Sequence, residues 1–152
     1  MKRRKGNKGF TLVEMVVVIA VTMILFSLAV LSMNLVTNAN VKAAAKRMAF
    51  ILKTARTKTM AKGPEAGKVT ITTEGGNVYA TIGTGADATV EQICNSAVKY
   101  TGPTTIQFNT DGTLNMLGDT TTSTRKIVLF RGSRTYEITI YKETGAVITN
   151  WK

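Results

Sequence analysis

Residues 8–21 read KGFTLVEMVVVIAV. A basic residue and a glycine lead into an apolar run, and Glu14 lies inside that run, four positions after the Phe10 that opens it. From Phe10 to Met33 the sequence is FTLVEMVVVIAVTMILFSLAVLSM, 24 residues whose only charge is Glu14. At about 1.5 Å rise per residue, such a helix reaches across a hydrocarbon layer of about 30 Å. Ahead of it stand Lys2, Arg3, Arg4, Lys5 and Lys8 with no acid. That bias holds an amino terminus on the cytoplasmic side and sends the rest of the chain outward. Lys42, Lys46 and Arg47 flank the other end, but they are fewer and begin nine residues beyond Met33.

An ordinary signal peptide or a plain anchor shares the basic start and the apolar core. Neither accounts for Glu14. A carboxylate at mid-membrane depth costs about 2.5–3.5 kcal/mol on insertion scales, and no basic side chain between Phe10 and Val41 offsets it. A cut between Gly9 and Phe10 would create an α-amino group four residues before Glu14, one helical turn away on the same face. That cation would satisfy the carboxylate within one chain, or between neighbouring helices packed with a small axial offset. The second arrangement favours assembly.

The whole chain has 152 residues, 44% of them hydrophobic, with 20 Lys+Arg against 9 Asp+Glu, no histidine and one cysteine. This allows one modest domain plus an appendage and excludes a large multidomain enzyme. Without histidine the commonest general base and metal ligand is missing. Cys94 has no partner for an internal disulfide, and no Cys/His spacing suggests zinc. Its simplest reading is a lone, partly buried thiol. Asp87, Glu91, Asp111, Asp119, Glu137 and Glu143 form no recognisable catalytic pattern. The expectation is a non-enzymatic protein with no cofactor and no metal.

Beyond the apolar run, Val41, Ala44, Ala45, Met48, Ile51, Leu52 and Ala55 fall within one stripe at about 100° per residue, the mark of an amphipathic helix laid on a core. Gly63-Pro64 stops it. The remainder changes period: residues 69–73, 77–82, 105–109, 113–117, 126–130, 135–141 and 146–151 are short β-branched or aromatic runs. Gly75-Gly76, Asp111-Gly112, Gly132-Ser133 and Thr144-Gly145 separate several of them with turn chemistry. The fold class expected is α+β, a long amino-terminal helix packed on one antiparallel sheet built from hairpins. Residues 83–103 read as a long connection with room for one short strand or helical turn around 90–95. Thr120 to Thr124 read as a loop.

The segment Lys8-Gly9-Phe10-Thr11-Leu12-Val13-Glu14 resembles the leader of type IV pilins and type II secretion pseudopilins. The resemblance implies that a prepilin peptidase cleaves after Gly9 and methylates the new terminus at Phe10, and that Glu14 registers a subunit against its neighbour in a filament. The helix end with its Ala55-Arg56 pair before the first strand, TIQFNTDGTL at 105–114 and the closing YEITIYKETGAVITNWK resemble the GspH/FimT family of minor pseudopilins and minor pilins. The implied organisation is a leader peptide at 1–9, a transmembrane and filament-core helix at 10–33, an amphipathic helix at 34–62 and a β domain at 65–152. The implied role is a minor subunit of a secretion pseudopilus or pilus-like filament, with other pilins, the cytoplasmic membrane and the peptidase as partners. Two departures stand out. Many members have a proline about 22 residues into the mature helix, where this chain has Leu31. Some DNA-binding members carry arginines after the glycine of the last hairpin, where Gly145 is here followed by Ala146, Val147 and Ile148.

Loss of residues 1–9 removes five cations and lowers the formal net charge from +11 to +6. Lys42, Lys46, Lys53 and Arg56 share one side of the helix, and Arg125, Lys126, Arg131 and Arg134 form a second basic group on an expected hairpin. The helix stripe could meet anionic lipid head groups, acidic faces of neighbouring subunits or phosphates. A solvated face is the simplest reading, acidic neighbouring subunits the next, and nucleic acid the least favoured, since no aromatic stacking motif accompanies the charges. DNA uptake is the alternative function this leaves open.

Overall fold

The computed structural model describes residues 9–117 and 122–151, with side chains at 29–38 outside the description. The leader's cations therefore lie outside the described residues, as do Asp119 and the first two positions, Thr120 and Thr121, of the loop expected at 120–124, whose last residue, Thr124, is already in a strand. One helix, α1 (Leu12–Lys62), follows Thr11 and ends at Gly63, whose left-handed φ of 94° carries its N–H back to the Thr59 carbonyl at 2.8 Å. The chain divides into two units between Val36 and Thr37.

In the first unit, the helical side chains from Leu12 to Leu28 are exposed all round. The large apolar ones stand between 49% and 80% accessible. The hydroxyls of this stretch are satisfied by the preceding turn, Thr22 donating to the Ile19 carbonyl at 2.9 Å and Ser27 to that of Ile24 at 2.7 Å. Among the described residues no helix is long and apolar enough to cross a membrane. The span expected at 10–33 runs into positions 29–33, whose side chains lie outside the description.

In the second unit the amphipathic half of α1 meets the strands. Val41, Ala44, Ala45, Met48, Ile51, Leu52 and Ala55 are all buried and belong to one hydrophobic cluster with residues from both sheets. Each buried Leu, Ile, Met or Phe there contributes on the order of 1.5–3 kcal/mol. The first sheet contains β1 (Val69–Glu74), β2 (Asn77–Ile82), β3 (Thr89–Cys94), β5 (Thr105–Phe108) and β6 (Leu114–Asn115), in the order β3-β2-β1-β5-β6. The second contains β4 (Lys99–Thr101), β7 (Thr124–Arg131), β8 (Arg134–Tyr141) and β9 (Val147–Trp151), in the order β4-β7-β8-β9. All pairings are antiparallel. Gly75 and Gly76, with φ of 56° and 82°, close the β1–β2 hairpin as a two-residue turn whose twist matches the strands.

The α+β class holds, but the expected single sheet is two. The difference lies in residues 83–103, which hold a short 3₁₀ turn (Gly85–Asp87) and both β3 and β4. β4 pairs with β7, so the connection carries the chain from one sheet to the other. At three residues it is too short to show a period. It is fixed instead by Tyr100, whose hydroxyl donates to the Pro103 carbonyl at 2.6 Å and whose burial pushes its pKa up.

Two close approaches tie loops to α1. Gly67 is buried under the last turns of the helix, where a Cβ would meet Thr59 Oγ1, the Ala55 carbonyl oxygen and the Thr59 nitrogen. Thr59 continues the apolar stripe by one turn, fully buried, and its hydroxyl has no partner among the described residues. Thr59→Val keeps the shape and removes the stranded hydroxyl. It should raise stability by about 1 kcal/mol, read as a higher urea midpoint with an unchanged slope; a loss of stability would show that the hydroxyl is satisfied.

Candidate functional site

The start of α1 is a reciprocal pair. Thr11 caps the helix and Glu14 is its third residue: the Thr11 N–H and hydroxyl donate to Glu14 Oε2 at 2.8 and 3.0 Å, and the Glu14 N–H donates to Thr11 Oγ1 at 3.2 Å. This is a capping box, in which an acid three residues after a threonine satisfies otherwise orphaned helix-start donors. Glu14 thus has polar partners one turn away, which a search for cations alone overlooks, although the Thr-x-x-Glu spacing stands in the sequence. Among the described residues Oε1 accepts no hydrogen bond and no cation pairs with this carboxylate. Gly9 and Phe10 precede the cap, non-helical and exposed. Among the described residues, nothing lies within 4 Å of a Cβ built on Gly9.

The basic residues separate into engaged and open ones. Arg56 is half-buried, its Nε donating to the Gly112 carbonyl at 2.9 Å. A Cβ on Gly145 would strike that same carbonyl oxygen, so the turns at 109–113 and 142–146 meet backbone to backbone with Arg56 as their clamp. Arg125 is spent on the Met116 carbonyl at 2.7 Å. Lys126 pairs with Glu137 across β7 and β8, Nζ to Oε1 at 3.3 Å. These three are held within the domain. Lys42, Lys46 and Lys53 are exposed on α1, and Arg131 and Arg134 face each other across the Gly132-Ser133 turn. Lys42 shares a cleft with Ala39, Tyr136 and Trp151. Tyr136 and Trp151 are cross-strand partners with ring centroids 5.3 Å apart and planes at 74°, a favourable edge-to-face contact.

Cys94 is buried, its Sγ 3.5 Å from the Val98 carbonyl oxygen, and burial raises the thiol's pKa. It should resist alkylation at pH 8 in the folded protein and react once denaturant is added; labelling at the rate of a free thiol would contradict this placement. Asp111 is held by the Thr113 hydroxyl and N–H at 2.6 and 2.9 Å, which lower its pKa. Its contribution to the turn is present above the usual aspartate range and fades as pH falls through the lowered value.

No curated protein and no solved structure matches the chain. Residues 4–30 match the family model of the prokaryotic N-terminal methylation motif, a match consistent with a type IV pilin-like protein.

Proposed function

We propose that this chain is a structural, non-enzymatic subunit of a type II secretion pseudopilus or related pilus-like filament, a minor pseudopilin of the GspH/FimT kind. One observation carries the reading: directly behind the methylation motif, α1 exposes apolar side chains on every side from Leu12 to Leu28. A helix hydrophobic all round needs lipid or neighbouring helices around it, and its hydroxyls are already satisfied internally, as a water-free setting requires. In this reading the helix is held in the cytoplasmic membrane with its start on the cytoplasmic side. A prepilin peptidase cuts at Gly9–Phe10 and methylates Phe10, and the open oxygen of Glu14 meets the new terminus of a neighbour as helices bundle. The β unit contacts other subunits or cargo outside the membrane. Extracytoplasmic filaments sheared from cells should contain the chain by immunoblot. Its confinement to the membrane fraction while other subunits are sheared off would sink the proposal.

A further inference from the structure

We propose that the end of the globular unit bearing Lys42, Arg131, Arg134, Tyr136 and Trp151 binds the anionic headgroups of the bilayer holding the chain's own apolar helix; this rests on the membrane-inserted reading above. Ala39 and Lys42, near the start of the unit at Thr37, line a cleft of about 280 Å³ with Tyr136 and Trp151. Arg134 lies two residues along β8 from Tyr136, hence on the same face of the sheet and about 7 Å further along. The register sets Arg131 directly opposite it. One end of the unit therefore collects three cations and an aromatic pair.

The charges there are unspent. Among the described residues none of Lys42, Arg131 and Arg134 forms an ion pair or a side-chain hydrogen bond, in contrast to Arg56, Arg125 and Lys126. Two arginines directly opposite each other repel, and an anion between them reverses the sign of that contact. Guanidinium forks match phosphate geometry. Trp151 is 44% exposed and Tyr136 half-buried, amphipathic rings of the type that settle at headgroup level beside basic residues.

The chain itself supplies the surface. Five residues lie between Met33 and Ala39, so the six chain steps span at most about 20 Å, and in the membrane-inserted reading the bilayer is within this end's reach. Duplex DNA also offers phosphates, but neither the tether nor the edge-packed Tyr–Trp pair favours it. Headgroup binding would park the unit against the membrane and release it when the subunit is drawn into a filament.

Trp151 is the chain's one tryptophan and reports the contact directly. The full chain is placed in lipid nanodiscs of phosphatidylcholine with or without phosphatidylglycerol. The anionic discs should shift Trp151 emission to shorter wavelength and reduce quenching by acrylamide, both effects reversed by salt. Arg131→Gln and Arg134→Gln should each weaken the response about fivefold, with Cys94 protection unchanged as the sign of an intact fold. Equal emission and quenching in both lipids, with the chain retained in the discs, would overturn the inference and leave the membrane reading standing. A chain retained in neither disc would remove both. A Trp151 response to duplex DNA that matches the response to phosphatidylglycerol would also overturn it, assigning the surface to nucleic acid.

Discussion

Glu14→Gln is expected to abolish incorporation into filaments while leaving the helix start, membrane insertion and cleavage intact. Glutamine at the third helical position serves a capping box as well as glutamate does, so the hydrogen bonds with Thr11, at 2.8, 3.0 and 3.2 Å, are retained in kind. What is lost is the charge. If the open oxygen of Glu14 meets a neighbour's α-ammonium in an apolar helix bundle, its removal strands that cation at a cost of about 3 kcal/mol or more, roughly two orders of magnitude in incorporation. The complementary change, Thr11→Val, removes the cap and keeps the charge. It should cost the helix start only about 1 kcal/mol and leave assembly largely in place. The two variants separate the local role of Glu14, visible in the structure, from its proposed role between subunits. Normal filament yield with Glu14→Gln would reduce this residue to a helix cap.

Gly67→Ala should strongly destabilise the globular unit. The added carbon would be pressed into two backbone atoms of α1, the Ala55 carbonyl oxygen and the Thr59 nitrogen, as well as the Thr59 side chain. Helix backbone cannot rotate away as a side chain can. Overpacking of this kind costs about 3 kcal/mol, or about 10 °C in melting temperature for a unit of this size. Thr59→Ala in the same background removes only the side-chain clash and should restore only part of the loss. Full rescue by Thr59→Ala, or a neutral Gly67→Ala, would show that the turn at 64–67 stands further from the helix.

Much of this is legible in the sequence alone. The seven stripe positions from Val41 to Ala55 form one buried face because 3.6-residue periodicity is a strong signal over four turns. The hairpins at Gly75-Gly76 and Gly132-Ser133 follow from turn residues that few other pairs can replace. Thr59 escapes the apolar pattern because it is polar, although it lies one turn beyond Ala55 on the same face. β3 falls where residues 90–95 leave room for a short strand, but the split into two sheets is hidden because β4, Lys-Tyr-Thr, has too few residues to alternate. The basic residues were identified by type, but their fates depend on neighbours distant in sequence: Arg56 is clamped to Gly112, 56 residues away. Charge counted along a helix face cannot show which cations are already spent.

The amino terminus of the chain in its host decides most directly whether this is a processed filament subunit. Mass spectrometry of the purified protein should find Phe10 as the first residue, carrying one methyl group on its nitrogen, with residues 1–9 gone. A terminus at Met1, or at a site well removed from Phe10, would contradict the pilin-like reading and leave Glu14 as the cap of an ordinary apolar helix.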